Sequence, residues 1–130
     1  MNTTVTMSAI EVDDLERSTR FYTDALGLVR RHDVSGTDFD AVLVGSAEGS
    51  GAMLELTRHR GREQALDHGT AFWKLCLSTD DIRALFDRAV AHGARPVLEP
   101  QEIPGTAATT IALVKDPDGY LVELVQSTGS

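Results

Sequence analysis

Apolar residues along this chain follow two rhythms, and both rhythms occur twice in the same order. A strand-like run from Thr4 to Val12 opens the chain, and a second from Phe72 to Thr79 opens its latter half. Alternation of this kind marks a strand with one face covered. Each run passes through an aspartate pair, Asp13-Asp14 or Asp80-Asp81, into a stretch with helical spacing. Ile82, Leu85, Phe86, Ala89 and Val90 fall at i, i+3, i+4, i+7 and i+8, which predicts an amphipathic helix. The first helix is less regular, with Leu15, Phe21, Tyr22, Ala25 and Leu26, but Asp13 with Glu16 three residues later suits a capping-box variant. Both stretches end at a glycine, Gly27 or Gly93, the residue that most readily closes a helix in the left-handed region.

Shorter strands are predicted after each glycine, at about 28–34, 39–44 and 52–57, then at about 95–98, 109–114 and 120–125. Asp116-Pro117-Asp118-Gly119 forms a turn before the last of them. The landmarks recur about 67 residues on: Asp13-Asp14-Leu15 as Asp80-Asp81-Ile82, Gly27 as Gly93, and Met53-Leu54-Glu55-Leu56 as Leu121-Val122-Glu123-Leu124. The order βαβββ is thus repeated, with module one at 1–57, a polar linker at 58–69 and module two at 70–130. The class is α+β, within one domain.

Strand alternation also assigns faces. If Leu54 and Leu56 pack beneath the first helix, Met53, Glu55 and Thr57 point the other way. Likewise Val122 and Leu124 pack while Leu121, Glu123 and Val125 turn away, and Leu75 and Leu77 pack while Lys74 and Cys76 turn away. Carboxylates and an ammonium therefore share the face that no helix covers.

Composition narrows the partners. A formal net charge of −8 and the lack of a long Lys/Arg run argue against nucleic acid. No basic segment followed by an apolar stretch opens the chain, and no run of about 18 apolar residues occurs, so a soluble, unexported, cytoplasmic protein is expected with no membrane partner. The single cysteine, Cys76, forms no intrachain disulfide and is expected as a small buried residue of its strand.

The stretches VDDLERSTRFYTDALGL, LELT, GTAFWKLCLSTDD and KDPDGYLVELV resemble, in this order and over nearly the whole chain, the landmarks of the vicinal oxygen chelate superfamily. This is the fold of glyoxalase I, the bleomycin-resistance proteins and certain dioxygenases, and the glyoxalase I branch is the most similar. The resemblance implies a curved mixed sheet around a small-molecule cavity, with modules paired within one chain or across a swapped dimer. It also implies four inward metal ligands, which fall on Met7, Glu55, Lys74 and Glu123. Half of that set is changed. A protonated lysine has no lone pair and a thioether is soft, so no metal and no other cofactor is expected.

Two functions stay open, beside the case of a purely structural salt bridge in a protein whose role lies elsewhere. One is a metal-independent lyase or isomerase in which Glu55 or Glu123 moves a proton and Lys74 stabilises a developing oxyanion, making these three the candidate catalytic residues. In that reading Lys74 holds one carboxylate charged while the other carboxyl shifts upward. The other is a protein that sequesters a small molecule, as bleomycin-resistance proteins do. Met7, Trp73, Cys76 and Arg58 are candidate cavity residues in either case. Phe72 and Trp73 are expected chiefly in the core, although one could line the cavity mouth. Arg58, Arg60 and Arg62 could catch an anionic tail, yet a solvated loop is the simpler expectation. His32, His59, His68 and His92 are expected in loops or helix ends, and Thr106 to Thr110 in a turn or lid. A homodimer is expected because an uncovered sheet face and open edges invite pairing.

Overall fold

The computed structural model describes residues 1–105 and 109–127. The chain divides into two units, Met1–Asp67 and His68–Ser130, and each has the expected order. The first contains β1 (Met7–Glu11), α1 (Leu15–Arg20) with a π-helical turn (Phe21–Ala25), β2 (Val29–Ser35), β3 (Phe39–Gly45) and β4 (Met53–His59). The second contains β5 (Leu75–Ser78), α2 (Ile82–Ala91), β6 (Arg95–Glu102), β7 (Thr109–Lys115) and β8 (Leu121–Ser127). Their sheets run β1-β4-β3-β2 and β5-β8-β7-β6. In each, the first strand lies parallel to the last, and the other pairs are antiparallel. Among the described residues no helix is long and apolar enough to cross a membrane.

Helix starts follow the aspartates, shifted by one residue from the expected box. Asp14 caps α1 by accepting from the Arg17 N–H at 3.0 Å, and Asp81 caps α2 by accepting from the Ala84 N–H at 3.1 Å. Asp13 is engaged elsewhere, since its carboxylate takes the Arg62 guanidinium at 2.8 Å. The irregular apolar spacing of the first helix has a structural cause. Leu26 N–H reaches back five residues to the Phe21 carbonyl, and this wider turn brings Phe21, Tyr22, Ala25 and Leu26 all into the core. In α2 the buried stripe is Ile82, Phe86 and Ala89, with Val90 left 36% exposed at its margin. Gly27 and Gly93 take φ of 77° and 98° and end the two helical segments.

Four strand boundaries differ from expectation. β1 begins at Met7 rather than Thr4, and β5 begins at Leu75, so Phe72, Trp73 and Lys74 precede the strand. β6 extends to Glu102 despite Pro96 and Pro100, because it is an edge strand and its pairing shifts register twice. β4 runs two residues into the expected linker, and the arginines there are anchored. Arg60 binds the Asp40 carboxylate at 2.7 Å, and Arg62 bridges Glu11 and Asp13. Thr106 and its next two neighbours lie outside the described residues, whereas Thr109 and Thr110 begin β7.

Beneath the helices the sheets bury Val12, Val42, Val44 and Leu56 in the first unit and Val114, Val122 and Leu124 in the second, each at most 1% exposed. Leu56 and Leu124 occupy equivalent places in the repeat. Truncating either to alanine should cost about 2–5 kcal/mol. Urea denaturation of each single variant checks this, and a cost well below that range for one of them would show that its module does not carry the same core.

Candidate functional site

Packing of Val122 and Leu124 against the helix side fixes Glu123 on the other face of β8. Its neighbours there are Cys76 on β5 and Leu113 on β7, the Cα partners in the two ladders. The Lys74 ammonium donates to Glu123 Oε1 at 2.8 Å, and the Cys76 thiol donates to the same oxygen at 3.0 Å. The side chains of Lys74 and Glu123 are only 20% and 13% exposed, so water screens this pair less than a surface pair. Lys74 Nζ also lies 3.9 Å from the ring centroid of Trp73, a cation–π distance.

The charges respond accordingly. Hydrogen bonds from Cys76 and Lys74 hold the Glu123 carboxyl below its ordinary range, against the opposing effect of burial. The hydrogen bond to Glu123 raises Lys74, again against burial. Partial loss of hydration against the sheet, then the hydrogen bond and charge of Glu123, push the Cys76 thiol up, although the residue as a whole reaches solvent. Glu123 is therefore not the upward-shifted carboxyl that the charge argument expects. Cys76 is likewise exposed rather than a buried filler.

In the first unit Glu55 stands on β4 between Ala9 and Leu43, the positions that Cys76 and Leu113 take around Glu123. Its Oε2 accepts from the hydroxyl of Thr57 at 2.7 Å, and Thr57 is buried. Met7 is 39% exposed and lies opposite Met53. Beyond Thr57 the same face carries Glu11, which takes the His59 backbone N–H and ring and the Arg62 guanidinium. Burial works against ionisation of Glu11, but these hydrogen bonds outweigh it and lower its pKa.

Lys74, Cys76, Trp73 and Glu123 are thus gathered in the second unit, while Met7 and Glu55 are placed in the first. Arg58 falls on the opposite face of β4 from Glu55 and donates to the His59 and Arg62 carbonyls at 3.3 and 3.4 Å. Trp73 is 73% exposed and Phe72 is exposed with its edge against Tyr120, so neither is a core residue. His32 and His59 belong to strands rather than loops. His68 donates to the Asp118 carbonyl and lies against Tyr120, and His92 caps α2. Sequence reasoning missed the Glu11–Arg62 and Thr57–Glu55 contacts. The second was within reach, because Thr57 stands two residues from Glu55 on one strand face.

Residues 4–124 match the family model of the Glyoxalase/Bleomycin resistance protein/Dioxygenase superfamily. The chain belongs to this superfamily. It is 38% identical over 121 residues to a probable lactoylglutathione lyase of Vibrio parahaemolyticus, covering 91% of this chain and 86% of that one. A probable lactoylglutathione lyase of Synechocystis is also 38% identical, with 92% of each chain covered. Glyoxalase I from Zea mays superposes with a TM-score of 0.84 at 27% identity over 97% of this chain, which spans only 45% of the maize chain. TnmS3, an antibiotic binding protein from Streptomyces, superposes at 0.72 with 23% identity, which shows the shared fold alone.

The superfamily's four ligand positions do not fit a resident divalent ion here. Lys74 has no lone pair while protonated and its pKa is raised, Glu123 Oε1 already takes two donors, and Met7 offers a soft thioether. Among the described residues no group of three His, Cys, Asp or Glu is placed to hold an ion.

A lowered carboxyl pKa contributes stability that is present above its unfolded value, near 4.5, and lost as pH falls through the folded one. Lys74→Ala removes part of that lowering. The stability gap between wild type and Lys74→Ala should therefore be widest near neutral pH and narrow on acidification as Glu123 protonates. Thermal melts from about pH 3 to about pH 8 read this directly. A gap independent of pH would mean the ion pair does not hold in solution.

Proposed function

We propose that the protein is a metal-independent isomerase or lyase of the glyoxalase-like branch, acting on a small carbonyl compound by proton transfer at the carbon next to the carbonyl. The observation that carries this reading is the shared hydrogen bonding of Glu123 Oε1 by Lys74 and Cys76, with no donor to Oε2 among the described residues. Glu123 takes the α-proton, and the electron pair moves onto the carbonyl oxygen. An ammonium has three donors, so Lys74 can keep its bond to Glu123 and direct another at the developing enolate. In an α-hydroxy carbonyl compound, transfer of the hydroxyl proton to the enolate oxygen, re-forming a carbonyl at the α-carbon, and return of the abstracted proton to the former carbonyl carbon complete an isomerisation. Loss of a substituent from the next carbon, with the electron pair going to the leaving group, completes a lyase reaction instead. Glu55, held by Thr57, carries the equivalent carboxylate of the first module.

A second reading, sequestration of a small molecule, is favoured by one observation. Trp73 presents an indole 73% exposed beside a fixed cation, a platform suited to a flat ligand. The proton-transfer reading includes a reducing, cytoplasmic compartment, in which Cys76 stays a free thiol able to donate.

Exchange of α-hydrogen in deuterated water, followed by NMR across small oxo and hydroxy carbonyl compounds including lactoylglutathione, tests the first reading. Glu123→Gln should lose about 10²–10⁴-fold of the exchange rate, and a chelator should change nothing. Exchange abolished by the chelator, or intact in Glu123→Gln, would overturn it. Binding that quenches the single tryptophan without any exchange would favour sequestration instead.

The reading includes a homodimer, supported by the open sheet edges and by exposed Met7, Phe72, Trp73 and Val97. Light scattering at micromolar concentration should give twice the chain mass. A monomer at every concentration would remove the dimer from the proposal.

A further inference from the structure

The repeat supplies an internal comparison at each glutamate. Glu55 and Glu123 stand at matching places, each beside a leucine on one neighbouring strand, Leu43 or Leu113. On the other neighbouring strand the first module has Ala9, which offers no side-chain donor, and the second has Cys76. Two residues along its own strand Glu55 has Thr57, whereas Glu123 has the apolar Val125. Each carboxylate therefore has one uncharged side-chain donor, taken from its own strand in one module and from the adjacent strand in the other.

We infer that Cys76 is a positioning residue for Glu123: its thiol and the Lys74 ammonium fasten Oε1 and present Oε2 as the oxygen that takes the substrate proton. This rests on the proton-transfer reading given above. The geometry follows from the shared acceptor. Two donors 2.8 and 3.0 Å from one oxygen, both rooted at or just before the neighbouring strand, oppose rotation of the carboxylate about its terminal bond. A thiol suits the task because it can donate to a carboxylate, as it does here at 3.0 Å. Among the described residues of its own unit, the ladders set the groups around Glu123. Lys74 and Cys76 approach from the β5 side, Leu113 faces it on β7 without charge, and Lys115 stands two pairs further along, opposite Leu121.

The test uses Cys76→Val, which keeps bulk without a donor, Cys76→Ser, which restores one, and Cys76→Ala, which guards against crowding by valine. Carbon-13 NMR of the Glu123 carboxyl needs no substrate. Its titration should move upward in the valine and alanine variants and return toward wild type in the serine variant, because a donor to the charged form is lost and regained. The acid limb of kcat/KM should move with it, and kcat should fall roughly threefold to tenfold in the valine variant, as loss of one hydrogen bond implies, with KM little changed. Identical carboxyl titration in all four proteins would overturn the role of Cys76, whatever the activity. A carboxyl shift restored by serine, in a protein that shows no α-hydrogen exchange, would support the hydrogen-bond role while overturning the catalytic reading it serves.

Discussion

The two-residue period of β8 governs the site, because it ties the outward direction of one carboxylate to the burial of two aliphatic neighbours. Val122 and Leu124 are fully buried, and a slip of one residue would exchange them with Glu123. Such a slip would place a charge in the core and two aliphatic side chains on the open face. The cost of that exchange is what holds Glu123 in place, and β4 repeats the arrangement with Leu54, Glu55 and Leu56. The parallel ladders then bring Cys76 opposite Glu123 and Ala9 opposite Glu55, so the chemistry at each carboxylate is decided by the first strand of its module.

Much of this was legible in the sequence, and the parts that were legible share a cause. Strand faces, helix stripes and the repeat depend on periodicity, and period survives when exact boundaries do not. Glu55 and Glu123 stand at equivalent places in their ladders for the same reason, each beside a leucine of the next strand. What stayed hidden depends on partners far apart in the chain. Arg62 looked like part of a solvated loop because nothing near it shows that Glu11 and Asp13 wait about 50 residues earlier. That pairing occupies Asp13 and leaves Asp14 to cap the helix. Trp73 looked like core because its strand was read three residues too long, and a residue before a strand has no obligation to pack. The π-helical turn was visible only as disorder in the apolar spacing, since a five-residue hydrogen bond has no sequence signal comparable to a cap.

In the proposed reaction, a lysine in place of a metal ion alters more than the charge. A divalent ion is held by its ligands and can bind a substrate oxygen directly, whereas Lys74 is tethered by its own stem and held between Glu123 and the Trp73 face. One of its three donors is spent on Glu123, and what remains is hydrogen bonding and charge. Such stabilisation is weaker than Lewis-acid coordination, and in the proposed reaction it restricts the substrates to those whose α-proton is already comparatively acidic. The same restriction bears on Glu123. Lys74 and Cys76 lower its pKa and so make it a weaker base, but they also hold it ionised and aimed across the whole range near neutrality. A weak base kept fully charged and oriented suits an acidic α-proton better than a strong one that is partly protonated. In that reading, the lysine in the ligand position and the depressed carboxyl are two sides of one adjustment.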